Sequence, residues 1–241
     1  MSELLRGTGL YPRWEITSSL LHLLGIPTWP MRRLWTAAAV EAHKKPDWIN
    51  GCIQRVVLST GPALPPLDHR GFSELNRPGY TSYARVFLRC RESVDRVVAE
   101  TFDVLWLRWD EALASADVQK FAWTVLRAGV MARTPHIDGC PELAPAAFST
   151  VALNRAGALT ARFDQIEESL TLFKVLSRLP ALQLDVMVLR YLRGMDDIAV
   201  ADVLGVPIAS VRSADMHARR HLTNVLHPQY GPREGHSCDS D

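Results

Sequence analysis

The segment Gly194-Met-Asp-Asp-Ile-Ala-Val-Ala-Asp-Val-Leu-Gly-Val-Pro-Ile-Ala-Ser-Val-Arg212 leaves its part of the chain few ways to fold. Asp196 or Asp197 can cap a helix whose apolar face is Ile198, Ala201 and Leu204. Gly205 stands where that helix must end, supplying the left-handed conformation that other residues resist. Val206 can plug the gap between two helices, and Pro207 pre-sets the dihedral that starts the next one near Ile208. Ala201 is small where the two backbones must cross. The pattern predicts a helix-turn-helix, whose main use is to lay one helix in the major groove of DNA. A plain helical hairpin with a solvated basic face is the alternative.

The second helix should bury Val211, Ala214, Ala218, Leu222 and Val225, which step by three and four residues. Ser210, Arg212, Ser213, Met216, His217, Arg219 and Arg220 then face outward. Hydroxyls and guanidinium groups suit phosphate oxygens and base edges. Ser210, Arg212, Ser213, His217, Arg219 and Arg220 are therefore the candidate DNA contacts.

Upstream lies Leu176-Ser-Arg-Leu-Pro-Ala-Leu-Gln-Leu-Asp-Val-Met-Val-Leu-Arg-Tyr-Leu-Arg-Gly194. From Phe173 to Leu222 the chain resembles region 4 of the sigma-70 family, especially its extracytoplasmic-function (ECF) branch. Val94-Asp-Arg-Val-Val-Ala-Glu-Thr-Phe-Asp-Val-Leu-Trp106 is similar to region 2 of that family, and Phe121-Ala-Trp-Thr-Val-Leu-Arg127 to its following helix. Taken alone, Val94, Val97, Val98, Phe102, Leu105 and Trp106 are simply the core stripe of an amphipathic helix. The order of the two matches is what points to the family.

The resemblance implies a sigma factor that directs RNA polymerase to promoters. Asp95, Val98, Glu100, Thr101, Phe102 and Trp106 would lie on the helix that docks on core RNA polymerase. Arg127 and Arg133 would lie near the −10 strand, and the outward residues of the helix-turn-helix would read the −35 element. The implied partners are core RNA polymerase, promoter DNA and an anti-sigma factor or other regulator. Several positions depart from the family pattern. Asp95, Arg96 and Ala99 stand where an acidic residue, Asp and Gln are usual, and Ala199 replaces a Glu. Ala214 and His217 replace arginines, and Asp215 adds a negative charge. Two further readings stay open: a sigma-like protein that no longer initiates transcription and acts through protein contacts, and a helix-turn-helix regulator.

The charge balance asks for a partner. The chain has 27 Lys plus Arg against 26 Asp plus Glu, a formal net charge of +1. Between Leu182 and His227, Arg190, Arg193, Arg212, Arg219 and Arg220 are offset by Asp185, Asp196, Asp197, Asp202 and Asp215. Affinity for nucleic acid rests largely on phosphate neutralisation, so such a domain should bind DNA weakly alone.

Hydrophobic residues make up 47% of the chain, and strand-like alternation is nearly absent. The expected fold is all-α, with two small helical domains, a Pro-rich linker and a helical N-terminal extension. The boundaries read as extension 1–75, region 2-like domain 76–134, linker 135–162, helix-turn-helix domain 163–227 and a disordered tail 228–241. Ser59 to Asp68 is a second linker. In the helix Asp164 to Leu179, the stripe Ile166, Leu170, Phe173, Leu176 and Leu179 should pack under the motif.

In the extension, Leu23-Leu-Gly-Ile-Pro-Thr-Trp-Pro-Met-Arg32 echoes Val203 to Arg212 at the Leu, Gly, Pro and Arg. A second helix-turn-helix would place Ile16, Leu20, Leu23 and Leu24 before its turn, and Met31, Leu34, Trp35 and Ala38 after it. Coincidence is the competing account. Most of Trp14, Trp29, Trp35 and Trp48 should be core.

No Gly-rich phosphate loop, metal cluster or nucleophile elbow is present, so neither an enzyme nor a cofactor is expected. Cys52, Cys90, Cys140 and Cys238 are scattered, as reduced thiols would be. His136 with Cys140, and His236 with Cys238, lack the second ligand pair that structural zinc needs, so no metal is expected. No apolar run approaches the ~20 residues of a membrane span. With no leader-like opening, a cytoplasmic location follows as the expectation.

Overall fold

The computed structural model describes residues 11–56, 64–144 and 171–226. The expected tail 228–241, linker residues 145–162, and Ile166 and Leu170 lie outside the described residues. The fold is all-α, with one short β-hairpin.

Three helices come first: α1 (Trp14–Leu23), α2 (Thr28–Glu41) and α3 (Pro46–Gln54). They close around their own core of Trp14, Leu21, Trp35, Ala39, Ile49 and Cys52. The apolar face of α1 is not the one its leucines suggest. Ile16, Leu20, Leu23 and Leu24 are exposed, while Trp14 and Leu21 are buried. An indole removes far more apolar area from water than a leucine, so Trp14 sets the rotation of the helix. After the turn, Ala39 rather than Ala38 is buried beside Trp35.

Next come α4 (Leu67–Phe87), α5 (Arg91–Leu107), the single turn and a half of α6 (Trp109–Ala114), and α7 (Val118–Arg133). Asp117 caps α7 by accepting a hydrogen bond from Lys120 N–H at 2.8 Å. Pro78 sits inside α4, and Gly79 beside it leaves room for Val203, whose Cγ2 lies 3.4 Å from where a Cβ would be. The hairpin β1 (His136–Ile137) and β2 (Cys140–Pro141) opens what composition marks as linker. Leu143 and Ala144 just after it are buried, and Ala144 N–H donates to Val86 O at 2.7 Å. Small and proline residues hide this docking from a reading by composition, because two side chains and one backbone bond suffice to pin the segment.

The described part of the following helix, α8, covers residues 171–177. Phe173, Leu176 and Leu179 are buried, as their spacing predicts. Then come α9 (Ala181–Met187), continued by a π-helical turn Val188–Leu192, and α10 (Asp197–Leu204) and α11 (Ile208–Leu226). One hydrophobic core runs through α4, α5, α7, α9, α10 and α11, from Tyr80 to Leu222. The segments that resemble regions 2 and 4 are thus packed directly on each other. Among the described residues, no helix is long and apolar enough to cross a membrane.

Candidate nucleic-acid interface

The turn between α10 and α11 has the geometry its sequence predicts. Asp196 caps α10, its Oδ1 accepting from Ala199 N–H at 2.8 Å. Gly205 adopts φ 63°, and Val206 N–H returns to Ala201 O at 3.2 Å. This closes the helix and leaves Pro207 to start α11. The buried face of α10 is Val200, Ala201 and Leu204. Ile198 is 60% exposed, contrary to its expected place in the core. The helix is turned so that Val200, rather than Ile198, joins Ala201 and Leu204 in the core. Val225 is likewise exposed, because Leu226, one residue on, takes the place against the core.

Along α11, Arg212, Ser213, Met216, His217, Arg219 and Arg220 are exposed and Ser210 is partly so. The candidate DNA contacts therefore share an open face. Their charges are not all free. Asp215, expected to add a negative charge to this helix, is buried. Tyr191 donates its hydroxyl to Asp215 at 2.8 Å, while Arg190 approaches at 2.8 Å and Arg219 at 3.5 Å. The π-helical turn brings Arg190 and Tyr191 to this carboxylate. Arg190 Nε also lies 2.9 Å from Asp197, without hydrogen-bond alignment, and Arg212 Nε lies 3.3 Å from Asp197. His217 and Arg220 form no ion pair among the described residues. A shallow hollow of about 360 Å³ borders Met216, Arg219, Arg220 and Thr223.

The other candidate residues sit differently. On α5, Asp95 is exposed and paired with Arg91 at 3.5 Å, and Arg96 is exposed. Val98, Thr101, Phe102 and Trp106 are buried. Phe102 stacks on Tyr80 with ring centroids 5.6 Å apart, and Thr101 donates to Val97 O at 2.8 Å. Glu100 is partly covered and accepts from Arg133 at 2.6 Å. Burial pushes the Glu100 carboxyl above its ordinary range, against the pull of Arg133. Arg133 also reaches Glu41 of α2 at 3.1 Å. The extension packs across α5, where Arg33 of α2 pairs with buried Asp103. Burial raises the Asp103 carboxyl to about 6, and Arg33 only partly offsets it.

Arg127 points into the molecule. Its Nε lies 2.9 Å and 3.1 Å from the two carboxylate oxygens of Asp185, on α9. The same carboxylate accepts from Tyr83 at 2.7 Å and from Trp123 Nε1 at 3.1 Å. Desolvation raises the Asp185 carboxyl from its ordinary value, and these donors oppose the shift. This network joins α4 and α7 to α9. It escapes a reading that counts Asp185 only as charge. The signal was available: an acid inside the apolar run Leu184 to Leu189 must find donors.

No family model matches this chain, and no curated protein matches it. Among solved structures, it is similar to CnrH in complex with the cytosolic domain of CnrY. That match has 20% identity and a TM-score of 0.37, and covers 66% of this chain and 86% of the other.

Proposed function

We propose that this protein is a sigma factor of the extracytoplasmic-function type, which carries RNA polymerase to promoters. In this reading α11 reads the −35 element, and α5 docks on core polymerase with α7 near the −10 element. The observation that carries it is the open face of α11, on a helix-turn-helix whose cap, turn and packing all fit the motif. Its near-neutral charge suits a DNA-reading module delivered by a larger partner. An anti-sigma factor or other regulator would be a further partner.

Reading two promoter elements at once requires α11 and α7 to stand apart. The Asp185 network holds their supporting helices together, so in this reading the packed form is a closed one that must open. The experiment is run-off transcription with core polymerase on a promoter library, comparing the wild-type chain with Asp185→Asn. Promoter-specific transcripts are expected, with more from the variant. Failure of either protein to associate with core polymerase would sink the proposal. A sigma-like protein acting through protein contacts is favoured instead by the extension lying across α5. Polymerase binding without transcripts, in both proteins, would select that reading.

A further inference from the structure

Charge nearly cancels over the whole chain, yet arginines converge on one hollow. Arg85 and Arg89 lie at the C-terminal end of α4, Arg91 in the first turn of α5, and Arg193 just beyond the π-helical turn. Their hollow holds about 280 Å³ and has Val86, Leu88, Val94 and Leu192 in its walls. Two of the arginines have carboxylate partners: Glu142 lies 3.0 Å from Arg89, and Asp95 lies 3.5 Å from Arg91. Arg85 and Arg193 form no ion pair among the described residues. Arg193 donates through Nε to Ser82 Oγ, which fixes the plane of its guanidinium. Partial burial, and then the charge of Arg85, push Arg193 below the usual arginine range.

Like charges held at an apolar-walled hollow are unfavourable until an anion joins them. The N-terminal end of α5 opens at the same place, where Cys90 caps the helix by accepting from Ser93 N–H at 3.3 Å. The positive end of that helix dipole adds to the field of the arginines. Planar guanidinium groups match phosphate oxygens in paired hydrogen bonds.

We propose that this pocket binds a small molecule carrying two or more linked phosphates, with Arg85 and Arg193 as its principal contacts. A hollow with apolar walls suits a compact ligand better than a nucleic-acid backbone, which runs along open charged strips. Because α4 and α5 supply one wall and Leu192 and Arg193 the other, the ligand ties the two packed segments together. The site does not depend on the sigma-factor reading.

Isothermal titration of the full chain with inorganic pyrophosphate and with ATP tests it, with sulfate and a single-stranded oligonucleotide as controls at matched ionic strength. One saturable site for pyrophosphate or ATP is expected. Arg85→Ala should weaken it by about tenfold or more, the loss of one charge-assisted contact. Arg85 is exposed, so this variant should melt like the wild type without ligand. Arg193→Gln should weaken binding as well. The proposal is overturned by no saturable binding, by sulfate binding equally well, by full affinity in both variants, or by binding of the oligonucleotide alone.

Discussion

Two turns in this chain are built alike and used differently. Gly25 and Gly205 have φ of 67° and 63°, and the next residue in each turn donates back to a helix carbonyl. Ile26 N–H reaches Leu21 O at 2.9 Å, and Val206 N–H reaches Ala201 O at 3.2 Å. A proline then precedes the second helix in both. The surroundings diverge. A Cβ built on Gly25 meets nothing within 4 Å, whereas one on Gly205 would lie 2.2 Å from Lys120 N and 2.6 Å from Asp117 Oδ1. Leu204, before Gly205, is 1% exposed; Leu23 and Leu24, before Gly25, are 80% and 69% exposed. Local residues write the backbone of a turn, and long-range packing decides what the turn carries.

The largest difference between the two turns is expected at their glycines. Gly205→Ala combines left-handed strain with a backbone clash against α7, and should cost about 4 kcal/mol in urea unfolding. Gly25→Ala carries only the strain, about 1 kcal/mol. Equal losses would show that the packing difference has no energetic weight. The leucines come next. Leu204→Ala should cost about 3 kcal/mol by leaving a cavity, against roughly 0.5 kcal/mol or less for Leu23→Ala. The helix starts differ as well. Asp196→Ala should cost about 1 kcal/mol, whereas Thr28→Ala at the start of α2, which has no side-chain cap, should cost roughly 0.5 kcal/mol or less.

An effect as modest as that of the caps concerns how the extension rests on α5. Folding lifts the Asp103 carboxyl from 3.8 to about 6, so the folded form holds its proton more tightly than the unfolded chain. That contribution favours folding fully below pH ~4 and is lost as pH rises through ~6. Relative to Asp103→Asn, the wild-type melting temperature should therefore fall between pH 5 and pH 7, by on the order of 2–4 °C. Parallel profiles for the two proteins would mean that Asp103 does not titrate in this window.

Much of the fold is legible in sequence because short-range rules govern it. Asp196, Gly205 and Pro207 act within a few residues of themselves, and the structure places the cap and turn where they indicate. The buried stripe of α5 follows from helical spacing alone. Ile198 and Val225 match the helical spacing of the core yet lie outside it, because spacing fixes a face only to within about a residue of rotation and Val200 and Leu226 take the contacts. Asp215 counts in the sequence only as an added negative charge, since its partners Arg190 and Tyr191 are delivered by a π-helical turn that no simple period encodes. Pairings such as Arg127 with Asp185, or Arg33 with Asp103, join distant segments and leave only an indirect mark, an acid among apolar neighbours. The open face of α11 was legible; the covering of α5 by the extension was not.

The aromatic core of the extension gives the molecule a built-in optical label. Trp35 lies 5.6 Å from Trp14 and 5.8 Å from Trp48, nearly parallel to the latter, with Tyr11 5.6 Å away on another side. Indoles this close couple their electronic transitions, so separating them on unfolding changes the tryptophan region of the ultraviolet circular dichroism. Trp106, Trp109 and Trp123 lie apart from this cluster, in the helices of the larger body. Melting of the first three helices can thus be followed by its own spectrum, without attaching a dye to the chain.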